Sequence, residues 1–148
     1  MVRFLRELAM SAIFAASILT VSSANAQSLR QYMWEYRPLV IFAPTSNNEE
    51  LIRQRSIVSR DLAGFRERNI VVIEVIASSV SSRMGPPPIV TANALRNYHG
   101  VTGRRFRAVL VGKDGGSKLE SGRTIGTHRL FGIIDSMPMR QMEMRRGR

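Results

Sequence analysis

A chain of 148 residues with no cysteine, and with 22 lysines and arginines against 11 aspartates and glutamates, excludes disulfide stapling and every chemistry that needs a thiolate. The net charge of +11 points to anionic partners. Because Lys113 and Lys118 are the only lysines, that charge is carried almost wholly by guanidinium forks suited to carboxylates and phosphates.

Residues 1–26 read as a signal peptide. Arg3 and Arg6 give a positive start, an apolar run follows over 8–21, and Ala24-Asn25-Ala26 places small residues where a signal peptidase needs them. Cleavage after Ala26 is expected, which sends the protein to the periplasm or beyond it. The apolar run is shorter than the roughly 20 residues that cross a bilayer, so no transmembrane anchor is expected once the signal is removed. Losing Arg3, Arg6 and Glu7 takes the net charge from +11 to +10. What remains is the length of one domain.

Residues 27–36 form a lead-in whose Leu29, Tyr32, Met33 and Trp34 can cover an edge of a core. The run RPLVIFA over 37–43 predicts a buried strand of the kind found in parallel sheets. Pro44 ends it. Ser46-Asn47-Asn48-Glu49 then matches a capping box, and Leu51, Val58, Leu62 and Phe65 share one face of a helix that closes at Asn69. IVVIEVI over 70–76 predicts a second buried strand, in which Glu74 is expected to pair with an arginine, with acid-base chemistry as the alternative. Residues 77–88 read as a serine-rich loop closing on Gly85-Pro86-Pro87-Pro88.

Thr91 can cap a short helix that carries Leu95 and Tyr98 and ends at Gly100. A third strand is expected over 106–111, then a turn over 112–116 and an antiparallel strand over 117–121. Thr127 can cap a last helix with Leu130, Phe131, Ile134 and Met137 facing inward, stopped by Pro138. The folded domain therefore spans 37–138, and 139–148 is expected to be a loose, basic, methionine-rich tail. The order β-α-β-α-β-β-α is that of an α/β, thioredoxin-like single domain.

At this point the chain resembles a known family. The residues concerned are 37–44, then Leu110-Val111-Gly112-Lys113-Asp114-Gly115-Gly116-Ser117-Lys118-Leu119, and then Leu130-Phe131 with Asp135, Met137, Pro138, Met139, Arg140 and Met142. They resemble the exported bacterial family catalogued as domain of unknown function 4174. That family is itself similar to the domain of extracellular matrix proteins of the sushi-repeat and DRO1-URB-DRS group. The resemblance implies a thioredoxin- or peroxiredoxin-like fold and brings no catalytic residues. Working thioredoxins carry a dithiol where this chain has Thr45-Ser46-Asn47-Asn48, and a cis-proline where it has Arg107.

Three groups of residues are candidates for binding. Ser46, Asn47 and Asn48 stand at a helix N-terminus, where free backbone donors hold anions or simply receive a cap. Arg104, Arg105 and Arg107, and separately Arg145, Arg146 and Arg148, form basic clusters suited to an anionic envelope polymer, a lipid or an acidic protein; nucleic acid is not expected. Met137, Met139, Met142 and Met144 could hold Cu(I) through thioethers, or pack and trail. Lys113-Asp114-Gly115-Gly116 lacks the ending of a phosphate loop and joins two strands, as a turn does. His99 and His128, without further histidine or cysteine, make no zinc set, so neither metal nor cofactor is expected. No base is tied to Ser46, so no catalytic residue is assigned. The function expected is that of a non-catalytic binding module. A redox-associated protein of thioredoxin or peroxiredoxin ancestry is the alternative, and a copper-binding protein a further one.

Overall fold

The computed structural model describes residues 29–147; the expected signal peptide and its cleavage site lie outside them. A five-stranded mixed sheet runs through the molecule, built from β1 (Arg37–Ala43), β2 (Ile70–Ile76), β3 (Ser79–Met84), β4 (Arg107–Val111) and β5 (Ser117–Ser121), in the order β3-β2-β1-β4-β5. β1 pairs in parallel with β2 and antiparallel with β4; β2–β3 and β4–β5 are antiparallel hairpins. The helices are α1 (Glu49–Arg60), α2 (Leu62–Glu67), α3 (Ala92–Tyr98), α4 (Thr127–Asp135) and α5 (Pro138–Arg146), with one 3-10 turn over Arg30–Tyr32.

Every residue of β1 is buried, because both faces of the sheet are covered. Leu39, Ile41 and Ala43 point to one side, where Leu51 and Val58 of α1, Phe65 of α2, and Leu130 and Ile134 of α4 meet them. Val40 and Phe42 point to the other, against Leu95 of α3 and the lead-in residues Leu29 and Tyr32. The period of two along a strand produces this split, and the result is three layers, helix on sheet on helix. Tyr32 is fixed by its own hydroxyl, which donates to the Pro86 carbonyl at 2.8 Å; burial pushes its pKa up to about 12.

Several expectations are corrected. The first helix is capped by Asn48, whose Oδ1 accepts from the Leu51 amide at 3.1 Å, and not by Ser46. Asp61 then breaks the helix in two and caps α2 through the Gly64 amide at 2.9 Å; Leu62, expected inside, is exposed. The segment expected as a loop over 77–88 contains β3, entered by a tight turn in which Ala77 takes a φ of 51°. α4 has Gly126 at its N-cap, with Thr127 already inside the helix. The tail expected to be loose is α5, which begins at Pro138 because proline tolerates the first turn, where no amide is needed.

Candidate functional site

β1 ends at Ala43, and the chain turns through Pro44 to Asn47 before α1 begins. On the neighbouring strand, β4 starts at Arg107, directly opposite Phe42 of β1. The loop that enters β4 therefore lies beside the N-terminus of α1. Between them opens a cleft of about 550 Å3, walled by Asn48, Thr102, Arg104, Arg105 and Arg107. Phe106 is buried in the core between Arg105 and Arg107.

Arg104 and Arg105 are exposed and make no ion pair among the described residues. Arg107 is tied across the β4–β5 hairpin to Glu120 at 3.0 Å. The far wall includes Gly122, and the segment that follows it is locked to α1. Gln54 is fully buried; its Nε2 donates to the Ile125 carbonyl at 3.0 Å and its Oε1 accepts from the Ile125 amide at 2.7 Å. Glu50 accepts from the Thr124 amide at 2.7 Å and from its hydroxyl, bonds that hold this carboxyl below its ordinary range. The acidic side chains of the first turn of α1 are thereby occupied, Glu50 by Thr124 and Glu49 by Arg53.

The structure brings together two of the sequence's separate candidates in part. Asn48 lines the cleft with Arg104, Arg105 and Arg107. Ser46 does not: it is exposed, and its carbonyl accepts from Arg55 at 3.3 Å. Asn47 is exposed and accepts from the Thr45 hydroxyl at 2.6 Å. Gln54 and Thr124 are missed from sequence, since a single glutamine inside an amphipathic helix carries no motif.

The family-motif residues gather at the opposite end of the sheet. Lys113, just past β4, donates to Glu143 of α5 at 2.7 Å and to the Asn69 side chain at 3.0 Å. Asp114 accepts from the Gly116 amide and from Lys118, and the Lys118 bond holds its carboxyl below the ordinary range. Gly115 takes a φ of 82°, which makes the four residues a turn. Arg140 is 4% exposed and donates to Asp135 at 3.1 Å and to Glu67 at 2.6 Å. Arg68 also donates to Asp135, at 2.7 Å, and lies over the Phe131 ring at 4.1 Å.

Arg37, only 1% exposed, forks onto both oxygens of Glu143 at 3.2 and 3.1 Å. Met137 stands at the N-cap of α5 and is partly buried; Pro138 opens the helix, and Met139 is half-buried. Asp135 and Glu143 share one electrostatic situation. Burial would raise each carboxyl, but the guanidinium and ammonium donors outweigh it and leave both lowered. Glu143 and Arg37 are missed from sequence. The signal that was there is an arginine at the head of an otherwise apolar strand.

Glu74, flagged as needing a cation, has one: Arg55 forks onto it at 2.9 and 2.6 Å. Among the described residues, no three His, Cys, Asp or Glu side chains gather as a metal set, and no helix is long and apolar enough to cross a membrane. Met142 is exposed, while Met139 and Met144 are half-buried along α5. Arg145 and Arg146 end that helix in solvent; Arg148 lies outside the described residues. A family model described as a domain of unknown function, DUF4174, matches residues 28–143.

Proposed function

The chain belongs to the DUF4174 family, a domain of unknown function, and from that premise we propose that it is a non-catalytic binding module that takes an anionic ligand in the arginine-walled cleft. The carrying observation is the convergence of Arg104, Arg105 and Arg107 on one cleft with Asn48. Two of its arginines have no carboxylate partner among the described residues, and planar forks of that kind match carboxylate and phosphate groups. The ligand is an anionic envelope polymer or lipid presenting such groups.

We further read the fold as thioredoxin-like. In support, β1, β2, β4 and β5 keep the order 2-1-4-5 with only β1 and β2 parallel, and β3 is an added edge strand. The cleft then sits where thioredoxin relatives work, at the end of the first strand. Thr45-Ser46-Asn47-Asn48 occupies the place of their dithiol, so a reaction run through a thiolate has no nucleophile here. Export rests on Ala24-Asn25-Ala26 and the apolar run before it.

The test changes Arg104, Arg105 and Arg107 together to glutamine and, in a second protein, Arg145 and Arg146. Binding of each to a polyanion is then titrated against salt. The cleft variant should lose about tenfold or more in affinity, the helix-end variant less, because forked hydrogen bonds add to a charge attraction that is screened over about 8 Å. Equal affinity of the cleft variant and the wild type sinks the reading. The mature chain should begin at Gln27, and recovery of a full-length, membrane-integrated chain would overturn the export assignment.

A further inference from the structure

At the pole of the sheet away from the cleft, a cationic pocket is already filled by an anion, and that anion is the chain's own. The Glu143 carboxylate accepts from Arg37 Nη1 and Nη2 at 3.2 and 3.1 Å and from Lys113 Nζ at 2.7 Å. Both cations are held in place from below. Arg37 also donates to the Arg68 carbonyl at 2.9 Å, and Lys113 to Asn69 at 3.0 Å. Arg37 is 1% exposed and Lys113 9%, so the pocket is recessed and prebuilt.

Besides Glu143, the helix is held chiefly through Arg140, which donates to Asp135 and to Glu67. The one buried residue of α5 is Arg140, and that side chain is itself held by ionic contacts to Asp135 and Glu67. A helix docked by charge and without a buried apolar stripe depends on competition among ions rather than on burial of apolar surface. The Arg37 Nε–H is buried without an acceptor, on a different edge of the guanidinium from the Nη1 and Nη2 donors that hold Glu143.

We propose that the pocket formed by Arg37 and Lys113 is a receptor for a compact oxyanion of the phosphate type, which takes the place of Glu143 and releases α5. The site is separate from the arginine-walled cleft and does not depend on it. The phosphate group could arrive free or on a lipid; the recessed position of Arg37 favours the free form.

The experiment is hydrogen exchange of the α5 amides in the mature chain, at neutral pH, with inorganic phosphate compared against sodium chloride at matched ionic strength. Phosphate should speed exchange over residues 138–146 by about tenfold or more and leave β1 and β2 unchanged. Arg104→Gln with Arg105→Gln should keep the whole effect, and Lys113→Met should abolish it. Glu143→Gln should give fast α5 exchange without phosphate and tighter phosphate binding by about tenfold, since the competitor is gone. Equal exchange in phosphate and chloride overturns the proposal, whatever the variants do. Release by phosphatidylglycerol vesicles but not by free phosphate overturns the assignment to a compact ligand.

Discussion

His99 ends α3 with its ring packed edge-on against Phe42 and Tyr98, at centroid distances of 5.9 and 4.8 Å. Its Nε2 is buried without a partner. Burial pushes the imidazole down to about 4, with Glu120 pulling weakly the other way. Between that value and the ordinary 6.5, the unfolded chain binds a proton that the folded one refuses. Stability therefore rises with pH through this window and falls as acid is added, by at most about 3 kcal/mol. Denaturant titrations between pH 4 and 7 should show that slope, and His99→Phe should flatten it above pH 5. Glu74 makes a second expectation at the same scale. It is 3% exposed, and Arg55→Met strips away both forked bonds while keeping the apolar stem. The loss should be about 3 kcal/mol or more, because an unpaired buried carboxylate is left behind. Arg83, 3.6 Å from Glu74, softens it only in part.

Among the elements, β3 is held by its hairpin to β2 and by one backbone position beyond it. Gly85 takes a φ of 88°, and a Cβ there would collide with the Val71 side chain. Gly85→Ala should cost about 2–3 kcal/mol in chemical denaturation, most of it from a strained backbone. That strand also shows where sequence reading stops. RPLVIFA and IVVIEVI announce themselves because both faces of each strand are covered, which enforces unbroken apolar runs. β3 covers no such face: Val80, Ser82 and Met84 are only half-buried, so its serines look like a loop. α5 fails for a different reason. Its attachment is ionic, and an arginine and a glutamate on a helix look the same whether they face solvent or a buried partner. The cap of α1 was misplaced by two residues because Ser46 and Asn48 both fit the local chemistry, and only the backbone path decides between them. For the cleft, the arginines and the α1 N-terminus were legible as separate features. Their meeting depends on β4 lying antiparallel beside β1, a long-range pairing with no local sign.

At the scale of the whole molecule, the two poles of the sheet respond to acid differently. The pole closed by α5 depends on Glu143 and Asp135, both held below their ordinary range, with Glu67 beside them and Arg37, Arg68, Lys113 and Arg140 as the facing cations. Carboxylates lowered by folding contribute stability above their unfolded pKa values and lose it as pH falls through the folded ones. Acidification below about pH 4 should therefore undock α5 before the sheet opens. Amide exchange over 138–146 should rise while β1 stays protected, and a single cooperative loss of both would contradict this. In the arginine cleft only Arg107 is paired, with Glu120, among the described residues, and the guanidinium charges persist through the same range.

The partner of Arg37, the first residue of β1, is Glu143 in the last turns of α5. Arg37 and Glu143 are separated by 106 positions, so at translation rates of about 5–20 residues per second the ribosome needs roughly 5 to 20 s to pass from one to the other. Throughout that interval the opening strand carries a guanidinium with no counter-charge, and the nascent protein cannot close its own surface. Synthesis of α5 thus sets the moment at which Arg37 can be neutralised, and a chain stopped before Glu143 would leave its central strand without that partner.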